Sequence, residues 1–192
     1  EINIEVDENY SQNGNTASTG YIRASNTGAA KFEISSGTLN LAGAFRRDLE
    51  SNIMRVNYKQ TGGIVSIALN SAGVTELKGA FEVLGLNSSF TYTGGNLIIV
   101  HSNGSQLIPS VSLTPGASNV TEDIQLGSIN TVDDGFQQSF GINSTITLNG
   151  LILNNDGLDP DALILSSTLD LGGDLQLTTG TFFDANDKSL II

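Results

Sequence analysis

A Gly-Gly pair recurs between short runs of alternating apolar residues, and that phrase limits the fold more than any other feature of the chain. QTGGIVSIAL sets Gly62-Gly63 ahead of residues 64–69. FTYTGGNLIIV sets Gly94-Gly95 ahead of residues 97–100. LDLGGDLQL sets Gly172-Gly173 ahead of residues 175–177. Each run is too short for a helix, and the alternation has the two-residue period of a strand with one buried face. From Thr168 to Ile192 the chain reads TLDLGG, DLQLTTG and TFFDANDKSLII, three such runs cut apart by Gly172-Gly173, Gly180 and the polar Asp184-Ala185-Asn186-Asp187.

The same plan appears upstream. KFEISSGTLNLAG (31–43) carries Phe32, Ile34, Leu39 and Leu41 around a corner at Gly37. RVNYKQTGGIVSIALNSAG (55–73) and SFTYTGGNLIIVHSNG (89–104) repeat it, and VTELKGAFEVLGLN (74–87) adds two short strands joined at Gly79. Phe45 to Ser51 reads as a loop or one helical turn. The pattern weakens over 105–142, where Pro109 and Pro115 predict loop or strand-edge positions because proline cannot donate to a sheet ladder. It resumes at STITLNGLILNN (144–155) and ALILSSTLDLGGDLQL (162–177). Residues 1–29 open with the strand-like EINIEV, continue through a polar run from Asp7 to Gly20, and offer a further short strand at 21–24. The chain therefore divides into an N-terminal strand and polar loop (1–29), a cap or the end of a preceding module, and repeats over 30–192 with an irregular insertion at about 105–142.

A repeat this short cannot bury its own apolar face, but its neighbour can cover it. The expected fold is all-β, a right-handed parallel β-helix (β-solenoid) of roughly 7–9 turns at about 20–25 residues each. The alternative is an antiparallel β-sandwich, in which similar strands pair as hairpins. The similar sequence flanking each Gly-Gly pair favours the solenoid. The final SLII lacks a cap, so the sequence predicts that the polypeptide continues or that another subunit sits there. The opening at Glu1 reads as a mature chain or a fragment, with no signal peptide in the sequence.

Composition narrows the function. The 192 residues contain 22 Gly, no Cys and 15% charged residues, against 39% hydrophobic residues, enough for a core. A disulfide scaffold and a Cys-ligated metal are excluded. No apolar run reaches the roughly 18–20 residues of a membrane-crossing helix, so no membrane insertion is expected. The net charge is −12, and residues 79–187 hold no Lys or Arg against 12 acids. That balance argues against nucleic acid and anionic membranes, whose phosphates demand clustered cations.

The phrases GTLNL, QTGGIVSIAL, FTYTGGNLIIV and LDLGGDLQLTTGTFFDANDKSLII resemble the repeats of large secreted bacterial β-solenoid surface proteins. These include autotransporter-like passengers and giant adhesins exported by the type IX route. The likeness covers about residues 30–104 and 144–192. It implies an extracellular, cell-surface rod without enzymatic activity, which extends, builds fibres or presents a binding surface. Its partners would be further repeats of the same polypeptide, other copies, or surface carbohydrate.

Few residues point to chemistry. The loop Asn154 to Asp161 places Asp156, Asp159 and Asp161 among two Asn, an oxygen density suited to calcium, although it lacks the distal acid of an EF-hand. Calcium is the one cofactor the sequence points to. Asp184, Asn186 and Asp187 form a weaker set, and Glu122-Asp123 and Asp133-Asp134 read as exposed loop charges. A polysaccharide-active enzyme or carbohydrate-binding module is the alternative function; hydrolysis would use paired carboxylates about 5–10 Å apart, with Asp170 and Asp174 as the pair on neighbouring turns. The chain has no Trp, and its acid-rich half lacks cations, so sugar-orienting groups are sparse. His101, the single histidine, stands near Ser102 and Ser105 and reads as a surface or hydrogen-bonded residue. N-x-S/T sites occur at Asn87, Asn103, Asn119 and Asn143. Thr91 and Thr93, Thr145 and Thr147, and Thr178, Thr179 and Thr181 raise the idea of a flat threonine face for ice or crystalline polysaccharide.

Overall fold

The computed structural model describes residues 2–6, 9–12, 22–24, 29–41, 44–47, 55–67, 79–102, 109–128, 139–154 and 161–192, and the statements below concern these. Their regular structure is all strand, without a helix. In chain order the strands are β1 (Ile2–Val6), β2 (Asn9–Gln12), β3 (Ile22–Ala24), β4 (Ala29–Ile34), β5 (Thr38–Leu41), β6 (Phe45–Arg47), β7 (Arg55–Ile67), β8 (Phe81–Ile99), β9 (Val111–Val120), β10 (Ile124–Leu126), β11 (Ser139–Ser144), β12 (Leu151–Leu153), β13 (Asp161–Leu165), β14 (Leu169–Asp170), β15 (Leu175–Leu177), β16 (Thr181–Asp184) and β17 (Leu190–Ile191).

Every pairing among these strands is parallel. That overturns the antiparallel sandwich. Hairpins join neighbours in sequence, whereas here each strand pairs with one a full repeat away, as parallel pairing requires. The strands form three long ladders. In the first, β1, β4, the start of β7, the middle of β8 and the end of β9 lie side by side. The second runs β2, β5, the end of β7, the end of β8, β10, β12 and β15. The third runs β3, β6, the starts of β8 and β9, β11, β13 and β16. A separate short pair joins β14 to β17. Within β8, Phe81 lies in the third ladder, Phe90 in the first and Leu97 in the second.

The turns between ladders explain the Gly-Gly phrase. Gly37, Gly63 and Gly95 follow one another along the same corner with φ of 77°, 72° and 84°, a region that L-residues with a Cβ enter at a cost. A Cβ on Gly63 would also lie 2.8 Å from the Gly37 oxygen, and one on Gly95 2.2 Å from the Gly63 oxygen. Gly62 and Gly94 are needed for approach alone: their Cβ atoms would meet Ser35 O at 2.2 Å and Thr61 O at 2.4 Å. The backbone of each level thus rests directly on that of the level before.

The core runs between the ladders. Rows of identical depth are filled by Leu39, Val65, Leu97, Ile124 and Leu151, and by Leu41, Ile67, Ile99, Leu126 and Leu153, all buried. Rings occupy the first levels. Phe32, Tyr58 and Phe90 follow one another in the first ladder, with centroids 5.0 and 5.3 Å apart. Phe45 and Phe81 face them from the third ladder, with edge contacts to Tyr58 at 5.5 and 5.2 Å. Such contacts combine area burial with favourable ring geometry.

The buried hydroxyls of Tyr58 and Tyr92 are both hydrogen-bonded. The Tyr58 hydroxyl donates to Gln60 Oε1 at 2.5 Å, and Gln60 Nε2 donates to the Asn96 carbonyl at 3.0 Å. The Tyr92 hydroxyl accepts from the Leu97 N–H at 3.0 Å and lies 3.1 Å from the carbonyls of Gly95 and Asp123.

β9, β10 and most of β11 lie within the stretch 105–142 that the sequence sets apart, and they pair with β8, β12 and β13. Ser118 stands opposite the core ring of Phe90, where the preceding levels carry an aromatic residue, and this hides the alternation there. Pro115 sits inside β9 opposite Gly85, at the point where register shifts before Ser89. β11 pairs only with Val111 to Leu113 on the other side, so the absent proline N–H interrupts no ladder bond there. Strands β1, β2 and β3 pair with β4, β5 and β6, in the same three ladders.

Candidate functional site

With the inner face filled by core, chemistry is left to the outer faces and corners. On the second ladder, six strands from β5 to β15 follow the rule apolar, any, apolar: Leu39-Asn40-Leu41, Val65-Ser66-Ile67, Leu97-Ile98-Ile99, Ile124-Gln125-Leu126, Leu151-Ile152-Leu153, Leu175-Gln176-Leu177. Strand alternation turns the middle residue outward. Pairing then aligns Asn40, Ser66, Ile98, Gln125, Ile152 and Gln176 in one column, each directly opposite the next. Asn40 and Gln176 are exposed and the four between them are half-buried, as expected of side chains standing shoulder to shoulder on a sheet. Gln125 Nε2 donates to the Gly127 carbonyl at 3.0 Å, which fixes that side chain along its strand. This column was not identified from the sequence, although superposing the triplets at their buried residues makes it visible.

On the outer face of the first ladder, Glu33 accepts from Lys59 on the next strand at 2.5 Å and from Lys31 on its own at 2.8 Å. The hydrogen bond from Lys31, then that from Lys59, hold the Glu33 carboxyl down to about 2. In the core, burial pushes the Tyr92 hydroxyl up to about 12, and pushes Tyr58 well above the ordinary tyrosine value, with Tyr92 adding to the effect.

The corner before the second ladder carries amide and acid groups. Asn149 Nδ2 donates to Asp123 Oδ1 at 2.7 Å. A Cβ on Gly150 would lie 2.5 Å from that oxygen and 2.7 Å from the Asp174 carbonyl, so the corner is closely packed.

Of the calcium candidates, Asp156 and Asp159 lie outside the described residues, and Asp161 opens β13, fully buried and opposite Thr181. Asp184 Oδ1 accepts from the Asn186 N–H at 2.8 Å, and Asn186 and Asp187 form a turn with φ of 46° and 57°. Among the described residues, no three His, Cys, Asp or Glu side chains gather as a metal-holding group. Asp133 and Asp134 lie outside the described residues; Glu122 and Asp123 are half-buried. Asp170 and Asp174 are both exposed, and Asp170 Oδ2 accepts from Thr147 Oγ1 at 2.6 Å.

His101 is half-buried just after β8, beside the buried Ser102, and Ser105 lies outside the described residues. Thr91 stands between Lys59 and Asn119 in its ladder and Thr181 opposite Asp161, so neither stacks on another threonine. Asn87 and Asn119 are exposed and Asn143 is half-buried, while Asn103 lies outside the described residues.

At the last level, β15, β16 and β17 each pair on one side only among the described residues. Leu177 (42%), Phe182 (42%), Ile191 (52%) and Ile192 (75%) are exposed there. No protein-family model, no curated protein and no solved structure matches this chain.

Proposed function

We propose that this chain is a non-enzymatic β-solenoid segment of an extracellular bacterial surface adhesin or fibre, wound as a right-handed parallel β-helix. The observation that carries the reading is the passage of β8 through all three ladders within 19 residues. A chain that visits three parallel ladders in turn, and then returns to each at the next level, winds around a common core. Right-handed winding follows from the preference of parallel crossovers for that hand.

Seven strands lie side by side in the second ladder, so at about 4.8 Å per step the rod spans about 29 Å. The role is to extend and to present an outer face. Two features support it: the interior is filled by side chains, and the outer columns are in register over many levels. Further repeats of the same polypeptide or other copies stack on β15, β16 and β17, whose outward edges and neighbouring apolar side chains favour strand addition.

Surface digestion tests the reading. Intact cells of the source organism are treated with an impermeant protease and the chain is followed by antibody. Loss of signal from intact cells is expected. Protection until the cells are lysed would overturn the extracellular role. Release of soluble sugars from a polysaccharide panel by the purified chain would overturn the non-enzymatic one.

A further inference from the structure

We infer that the outward column of the second ladder binds a neutral, extended β-1,4-linked polysaccharide lying along the ladder axis. The inference rests on the reading of the chain as a surface rod and names the partner of its outer face. The column is Asn40, Ser66, Ile98, Gln125, Ile152 and Gln176, aligned residue by residue with no register shift within it.

Its charge selects the partner. None of the six residues is ionisable, in a chain of net charge −12. The nearest carboxylates in sequence, Asp123 and Asp174, precede β10 and β15 at the corner. A polyanion would be repelled by this field, and so would a second copy laid side by side on this face. A neutral polymer meets no such barrier.

Its spacing selects the shape. From Ser66 onward the column alternates polar and apolar: Ser66, Ile98, Gln125, Ile152, Gln176. Like residues therefore recur every two strands, about 9.6 Å apart. An extended β-1,4-linked chain repeats over two sugars at nearly the same distance, because successive rings are flipped. Isoleucines then meet the C–H face of alternate rings, while the hydroxyl and carboxamides reach the hydroxyls of the rings between. Gln125, already fixed by its bond to Gly127, loses little freedom on binding.

The test is co-sedimentation of the full chain with insoluble cellulose and chitin, with calcium pectate gel as the anionic comparator. Binding to cellulose or chitin and not to pectate is expected. The double variant Ile98→Asp/Ile152→Asp should lower the apparent affinity about tenfold or more. Thr91→Asp, which adds charge on the first ladder, should leave it unchanged, with far-UV circular dichroism confirming the fold of both. Should the isoleucine variant misfold, Gln125→Ala/Gln176→Ala is expected to weaken binding about fivefold. Failure to bind either neutral polymer, binding unaffected by the column variants, or equal binding to pectate would overturn the assignment. So would self-association by sedimentation velocity that the isoleucine variant abolishes, because the face would then belong to a second copy. Protease protection on intact cells sinks only the surface role, and polymer binding without sensitivity to the column sinks only this inference.

Discussion

The ring of Tyr58 lies nearly parallel to that of Phe32 on the preceding strand, 5.0 Å between centroids and 20° between planes. Its hydroxyl meanwhile donates to Gln60 on its own strand. One side chain thus joins the apolar row to the buried polar pair beside it. Tyr58→Ala should cost about 3–5 kcal/mol, because it opens a cavity among Phe32, Phe45, Phe81 and Phe90. Tyr58→Phe keeps the ring and strips Gln60 Oε1 of its donor, for a loss of about 1–3 kcal/mol. Urea unfolding of the two variants measures both; equal losses would mean that the ring contributes nothing beyond its hydroxyl.

Gly95→Ala faces two penalties at once. Its φ of 84° costs an L-residue about 1–2 kcal/mol, and its Cβ would stand 2.2 Å from the Gly63 carbonyl oxygen. The expected melting temperature is lower than that of Gly172→Ala, whose Cβ meets nothing nearer than 3.7 Å. Thermal denaturation of the pair decides; a Gly95→Ala chain as stable as wild type would contradict the corner geometry.

Glu33 makes a pH-dependent contribution whose direction is fixed. Its carboxyl titrates at about 2 in the folded chain, below the ordinary value of 4.5, because Lys31 and Lys59 stabilise the anion. The unfolded chain therefore takes up this proton first as the medium is acidified. The stability it adds is complete above about pH 4.5 and is lost as pH falls from there through about 2. Glu33→Gln should flatten the acid limb of the stability curve, and carbon-detected NMR of the Glu33 carboxyl should place its midpoint near 2.

Alkaline titration reads the core. Tyr92 is pushed up to about 12 by burial, against the favourable Leu97 N–H, with Glu122 and Asp123 adding to the rise, and burial pushes Tyr58 well above the ordinary value. Ultraviolet difference absorption should show a delayed tyrosine step that diminishes in Tyr92→Phe. A single transition near 10 for every tyrosine would show that these rings are not enclosed.

Strand content and corner chemistry were legible because both follow from local rules. Leu39-Asn40-Leu41 announces its parity in three residues, and Gly62-Gly63 announces a corner that only glycine fills. The parallel direction was read correctly from similar flanks around Gly63 and Gly95. The sequence could not show which residues stand side by side, because register is set over a repeat of varying length. Ser66 and Ile98 are neighbours only after β7 and β8 have paired. Asp161 shows the same limit: it reads as a loop ligand beside Pro160, yet the chain has already entered β13 there and buries it. Pro115 reads as a break, and its strand continues past it because no ladder bond is required at that position.

The ring contacts have a kinetic consequence. In a ladder where each level touches only its neighbours, folding begins wherever the first two levels hold together and then spreads outward. The contacts linking Phe32, Phe45, Tyr58, Phe81, Phe90 and Tyr92 are concentrated in the levels of β4, β7 and β8. Those levels are expected to nucleate folding, so in stopped-flow kinetics truncating a ring there should slow refolding, whereas truncating Leu151 or Leu169 should mainly hasten unfolding.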